Sequence, residues 1–138
     1  GENLVDVQQF ARRLLVNILL GNGDAHLKNW SLLYADQTTP RLSPAYDILT
    51  TNVYIEDERQ FALNLGKSKN WYQVSLTNFQ AWADKSGIPW RVIKPHMDEA
   101  LDKAKTLWPT ALRDLPMNEG HKLKLVEHWR RLHEDFRF

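Results

Sequence analysis

Apolar residues at Val7, Phe10, Ala11, Leu14, Leu15, Ile18 and Leu19 recur with helical spacing, and Gly21 then stops the pattern. No other feature constrains the fold as much. A helix with one apolar stripe must be covered by other elements, and Arg12 and Arg13 fall on its opposite face. Gly21 suits the left-handed position that closes a helix. The polar run GNGDAHLKN is therefore delivered at the edge of the core. It is too polar to be core itself.

Downstream of that run, Trp30 to Tyr34 reads as a short strand, ADQTTP as a turn, and Arg41 to Ser43 as a returning strand. In SPAYDILTT, Pro44 fits a first helical or turn position, and Asp47 stands against Ile48 and Leu49. Residues 52–60 read as a loop, Phe61 to Leu65 as a short extended segment, and GKSKN as a basic turn. The remainder is helical. Leu76, Phe79, Trp82 and Ala83 share a face, with Ser75 as cap and Gly87 as stop. Pro89 opens the next helix, with Ile93, Met97, Ala100, Leu101, Ala104 and Leu107 inward and Pro109 just past its end. A final helix puts Leu125, Trp129, Leu132 and Phe136 on one stripe.

The 138 residues suit one domain, expected to be mainly α (α+β), helical with a small β-hairpin beside the polar site. Its net charge of +1 gives no electrostatic case for nucleic acid. The chain has no cysteine, which excludes disulfides and thiolate metal sites and suits a cytoplasmic location. No apolar run approaches the ~20 residues of a membrane span. GENLVDVQQ lacks the basic start and apolar stretch of a signal peptide. The six Trp residues are expected in core or groove packing.

Asp24, Asn29 and Asp47 form a pattern. Phosphoryl transfer needs a carboxylate to orient the acceptor hydroxyl and oxygen ligands to hold Mg²⁺ on the nucleotide phosphates. In protein kinases an Asn metal ligand follows the base after five residues, and a second Asp arrives after a short hairpin. Asp24, Asn29 and Asp47 repeat that order, step and intervening element. Taken singly, Asp24 suits an Asx-turn and Asp47 a helix cap. Lys28 could neutralise phosphate charge or simply be solvated. His26 could contact phosphate or brace the loop, and Tyr46 could pack over the nucleotide or fill the core.

GNGDAHLKNWSLLY followed by LSPAYDILTT resembles the C-terminal, catalytic-loop lobe of HipA-type toxin kinases. That family carries N-x-D-x-H-x-K-N and a later Y-D pair, matched here by Asn22, Asp24, His26, Lys28 and Asn29 and by Tyr46 and Asp47. The likeness is densest from Leu14 to Thr51 and continues loosely beyond. It implies a kinase fold acting on Ser/Thr of a protein, with ATP and Mg²⁺ as cofactors. It implies Asp24 as catalytic base, Asn29 and Asp47 as metal ligands, and His26, Lys28 and Tyr46 around the ATP. It further implies a HipB-like helix-turn-helix antitoxin partner that carries the DNA contacts, and an aminoacyl-tRNA synthetase as a possible target.

A kinase also needs a β-rich lobe with a phosphate-covering loop and a strand-borne Lys. No such element precedes the first helix, so the chain is expected to be the catalytic-loop part of a longer or split protein, inactive alone. Three rivals stand beside this reading. An aminoglycoside- or choline-type kinase would use the same three residues, but its groove should be acidic, and only Glu56, Asp57 and Glu58 follow Asp47. A metallophosphatase would need further ligands, whereas His96, His121, His128 and His133 read as surface or boundary residues of amphipathic helices. A non-catalytic binding lobe could use Trp71, Trp82, Trp90 and Trp108 as a docking face. The basic stripe Lys122, Lys124, Arg130 and Arg131 is interrupted by acids and reads as a solvated face.

Overall fold

The computed structural model describes residues 2–138. Helix α1 (Glu2–Leu20) leads into the polar loop. A two-stranded hairpin follows, β1 (Leu32–Leu33) and β2 (Arg41–Leu42), antiparallel with Leu32 opposite Leu42. A second antiparallel pair comprises β3 (Gln60–Leu65) and β4 (Ser68–Asn70). Then come α2 (Leu76–Lys85), α3 (Trp90–Asp114) and α4 (Glu119–Arg131). The mainly α architecture with small hairpins is thus as expected. No helix among the described residues is long and apolar enough to cross a membrane.

The core lies where α1, α3 and α4 meet. Leu14, Leu15, Ile18 and Leu19 of α1 are buried with Ile93 and Met97 of α3 and Trp129 of α4. Full burial of each such side chain favours folding by roughly 1.5–3 kcal/mol. The last carbonyls of α1 lack helical partners. Side chains of α4 satisfy two of them: Trp129 Nε1 donates to Leu19 O (2.9 Å), and His128 Nε2 lies 2.8 Å from Ile18 O.

Several local expectations give way to tertiary packing. Helix α3 does not stop before Pro109 but runs through both Pro95 and Pro109 to Asp114. Both prolines are exposed, while Ala104 and Leu112 stay buried and Trp108 lies against Trp129. That packing offsets the ~3 kcal/mol an internal proline costs. Leu107, expected inward, is exposed. Phe136 is buried but lies beyond α4, in a turn after Arg131, with its ring against Phe79. GKSKN is no mere turn, since Ser68–Asn70 pairs with β3. Gly66 (φ 53°) and Lys67 (φ 73°) make the bend, and a tight two-residue hairpin of type I′ demands positive φ at both.

His128 is buried, not at the surface. Burial lowers its pKa to about 4, with nearby Arg131 acting in the same direction and the bond to Ile18 O opposing. The neutral ring can therefore donate from Nε2 to Ile18 O and accept at Nδ1 from Tyr72 Oη, 3.1 Å away. His96, His121 and His133 lie against Arg12, the Tyr54 ring and Asp135.

Candidate phosphoryl-transfer site

The end of α1 sets the loop. Gly21 adopts φ 63°, Gly21 N donates to Ile18 O, and Asn22 N donates to Asn17 O. That pair of bonds is a Schellman closure, with Gly21 at the position expected from sequence. A side chain at Gly21 would also meet the Asn52 amide. Beyond it the chain alternates: Ala25 is buried while Asp24 and His26 are exposed. A single 3₁₀ turn, Leu27–Asn29, follows, and Asn29 Nδ2 donates to Asp24 O at 2.6 Å. The residue five positions on is thereby held against the backbone of Asp24.

Two sets of contacts hold the hairpin and the Asp47 segment against this loop. Asp6 of α1 accepts from Arg41 Nε (2.9 Å), Arg41 Nη2 (3.1 Å) and Leu42 N (3.0 Å). The Arg41 bonds, first, and the Leu42 bond hold the Asp6 carboxyl below the usual carboxylate range. Arg13 Nη1 donates to Ser43 O at 2.6 Å. Partial burial lowers the Arg13 pKa, with Asp6 opposing. From the far side, Thr51 Oγ1 accepts from Gly23 N (2.8 Å), and Asn52 N donates to Gly21 O (3.1 Å). Thr51 also lies 2.7 Å from Glu58 Oε2.

Asn29, Tyr46 and Asp47 border one small open cavity of about 20 Å³, together with Arg13, Asn17 and Asn22. Tyr46 Oη is 2.7 Å from Ser31 Oγ and 3.2 Å from Lys28 O, so it ties the Asp47 segment to the loop. Asp24 and His26 stand together on the exposed arm of the loop, with His26 Nε2 3.6 Å from Asp24 Oδ1. The Lys28 side chain is exposed and does not line the cavity. Asp47 itself adopts φ 54°, a left-handed conformation that costs a non-glycine residue about 1–3 kcal/mol and recurs at functional sites.

The donor set fits Mg²⁺ held together with a nucleotide. Among the described residues the Asp47 carboxylate and Asn29 Oδ1 make no hydrogen bond or ion pair, and both residues border the same cavity. No group of three His, Cys, Asp or Glu among the described residues could hold a metal alone. Mg²⁺ asks for no such cage, since it takes one or two protein oxygens and completes its shell with phosphate and water. A partly buried Arg13 at the cavity would favour an anionic ligand.

Sequence reading missed Asp6, Arg13, Asn17, Thr51 and Glu58. They act through individual hydrogen bonds across 4 to 36 positions, which no apolar periodicity reports. Asn22 was visible only as part of the motif.

Comparison with known proteins agrees with the fold. Residues 1–108 match the HipA-like C-terminal domain family. A protein of Sinorhizobium fredii that bears the name of a kinase is 41% identical over 112 residues, covering 81% of this chain and 27% of its own length. The serine/threonine-protein kinase toxin HipA of Shewanella oneidensis is 23% identical over 125 residues, covering 91% of this chain and 28% of that protein. The solved complex of HipA, HipB and operator DNA from Shewanella oneidensis superposes with a TM-score of 0.69 at 22% identity, over 91% of this chain and 31% of that chain. The chain therefore spans about a quarter to a third of the proteins it resembles.

Proposed function

Given that the chain belongs to the HipA-like C-terminal domain family, we propose that it carries the catalytic loop of an ATP-dependent kinase that phosphorylates Ser or Thr of a protein. The observation that carries this reading is the cavity shared by Asn29 and Asp47, with Asn29 bonded to the backbone of Asp24. Asp24 orients an acceptor hydroxyl and takes its proton. Asn29 and Asp47 would hold Mg²⁺ through their unpaired oxygens. His26 and Lys28 lie on the exposed arm, where the Lys28 charge would face phosphate and His26 could contact it. In this reading Tyr46 contributes through its hydroxyl, which fixes the loop. Bound Mg-ATP would supply the phosphoryl group.

The remaining three-quarters of the relatives' length would contribute the phosphate-covering lobe, so this stretch alone is expected to bind Mg-ATP weakly and transfer little. The relative whose complex contains HipB supports a helix-turn-helix antitoxin as partner, with DNA reached through it. A protein substrate such as an aminoacyl-tRNA synthetase is the expected acceptor. A cytoplasmic setting fits these partners. The cleft of Glu56, Asp57, Glu58 and Glu127 also holds Arg59, Lys124 and Arg131, so its charge is mixed rather than densely acidic.

The test uses the full-length protein with labelled ATP, Mg²⁺ and host-cell lysate, beside Asp24→Ala. A discrete labelled protein that disappears in the variant is the expected result. ATP binding without any labelled protein would overturn the protein-kinase reading.

A further inference from the structure

Asn22 is 1% exposed and Asn17 is 3% exposed, so both bury a polar side chain. Their amides form one chain of hydrogen bonds. Asn17 Nδ2 donates to Arg13 O (2.8 Å), and Asn22 Nδ2 donates to Asn17 Oδ1 (2.6 Å). Asn22 Oδ1 then accepts from Asp24 N (3.1 Å), while Asn22 Nδ2 also reaches Asp47 O (3.4 Å). The ends of the chain are backbone groups of fixed polarity: Arg13 O and Asp47 O only accept, and Asp24 N only donates. Both amide orientations are therefore determined, and neither amide could be reversed without facing like against like.

A buried amide costs folding free energy unless its bonds are made, so this pair is a device that must be complete to be tolerated. It bonds to the backbones of two residues 23 positions apart, and among the described residues no other does so for both. Asp47 is the one with the left-handed backbone, which needs surrounding contacts to persist.

We propose that Asn22, anchored through Asn17 to α1, is a positioning residue that fixes the separation of the base Asp24 and the metal ligand Asp47. The inference rests on the reading of those two residues given above. Among the described residues the Asn22 side chain bonds to Asn17 Oδ1, Asp24 N and Asp47 O. Its effect passes through the backbones it holds, much as outer-shell partners of metal ligands act on the ligands themselves.

The test uses the full-length protein. Mn²⁺ binding in the presence of ATP is followed by electron paramagnetic resonance, and phosphoryl transfer is followed as a function of Mg²⁺. In Asn22→Ala, Mn²⁺ affinity is expected to fall about 10- to 100-fold, the usual range for loss of an outer-shell contact. The Mg²⁺ needed for half-maximal transfer should rise, and KM for the acceptor should hold. Phe79→Leu, a core variant on α2, supplies the purely structural comparison: it should lower Tm and keep wild-type Mn²⁺ affinity. Asn17→Ala removes only the anchor and should show a smaller loss in the same direction, which gives the answer even if Asn22→Ala fails to fold. Wild-type Mn²⁺ affinity in these Asn variants, or an equal loss in Phe79→Leu, overturns the assignment. If Asp24→Ala abolishes transfer while Asn22→Ala behaves as wild type, the inference fails alone. If the wild-type protein binds no Mn²⁺ with ATP, the reading beneath it fails as well.

Discussion

The helical half and the loop-hairpin half of this molecule are held together by different forces. In α1, α3 and α4 the stabilising contacts are apolar and many-sided, with Leu14, Ile18, Met97 and Trp129 buried together. Between Gly21 and Glu58 few side chains are buried, and Leu32, Leu33, Tyr46 and Asp47 are exposed. That half is fixed instead by single polar contacts: Asp6 to Arg41 and Leu42, Arg13 to Ser43, Asn22 to Asp24 and Asp47, and Thr51 to Gly23. Apolar burial tolerates small shifts. A hydrogen bond does not, because it weakens steeply with distance and angle. Groups that must meet a ligand with defined geometry are therefore held by bonds, on a platform held by burial.

This contrast predicts that changes in the two halves separate function from stability. The largest effect is expected for Asp24→Ala in the full-length protein. Loss of a positioned base lowers transfer by about 10²- to 10⁴-fold, and an exposed residue should leave Tm nearly unchanged. A steep loss of Tm in that variant would break the comparison. Phe79→Ala is its counterpart in the helical half. It should cost about 3–5 kcal/mol in chemical denaturation, with the folded fraction keeping its metal dependence.

The third effect concerns the joint between the halves. His128 holds Ile18 O at the end of α1, and its folded pKa of about 4 lies below the ordinary 6.5. The unfolded chain therefore takes up the proton first as pH falls. Stability contributed by the neutral ring is full above pH 6.5 and declines from there down to about pH 4, by ~3 kcal/mol in all. Asp6 and Glu99 have carboxyls held low by Arg41 and by Lys103 and Arg12, so their contributions are lost only below the ordinary carboxylate range. Denaturation profiles from pH 8 to 4 should slope in the wild type and flatten in His128→Gln. The smallest effect is expected for Gly21→Ala. Its left-handed φ of 63° would cost an alanine about 1–2 kcal/mol, and Asn52 must also move. A variant more stable than wild type would show that the closure of α1 does not constrain the loop.

The same contrast explains what could be read from sequence. Helix α1, its stop at Gly21 and the shared face of Leu76, Phe79 and Ala83 follow from local periodicity. The polar loop was legible as a motif, and it lies within residues 1–108, which match the HipA-like C-terminal domain family. Pro109 misled because the local rule against internal proline yields to the packing of Trp108 and Leu112, which only the fold reveals. His128 reads from sequence as a surface or boundary residue because its partners, Ile18 and Tyr72, lie 110 and 56 positions away. Asp6 and Thr51 left no local signal at all. Their contacts with Leu42 N and Gly23 N span 36 and 28 positions.

The central claim is that Asn29 and Asp47 together hold the metal of a phosphoryl-transfer site. It is tested most directly by anomalous scattering from crystals of the full-length protein with Mn²⁺ and a non-hydrolysable ATP analogue. One peak is expected about 2.1 Å from both Asn29 Oδ1 and the Asp47 carboxylate. A peak in the cleft of Glu56, Asp57 and Glu58, or nucleotide bound with no metal near Asp47, would contradict it.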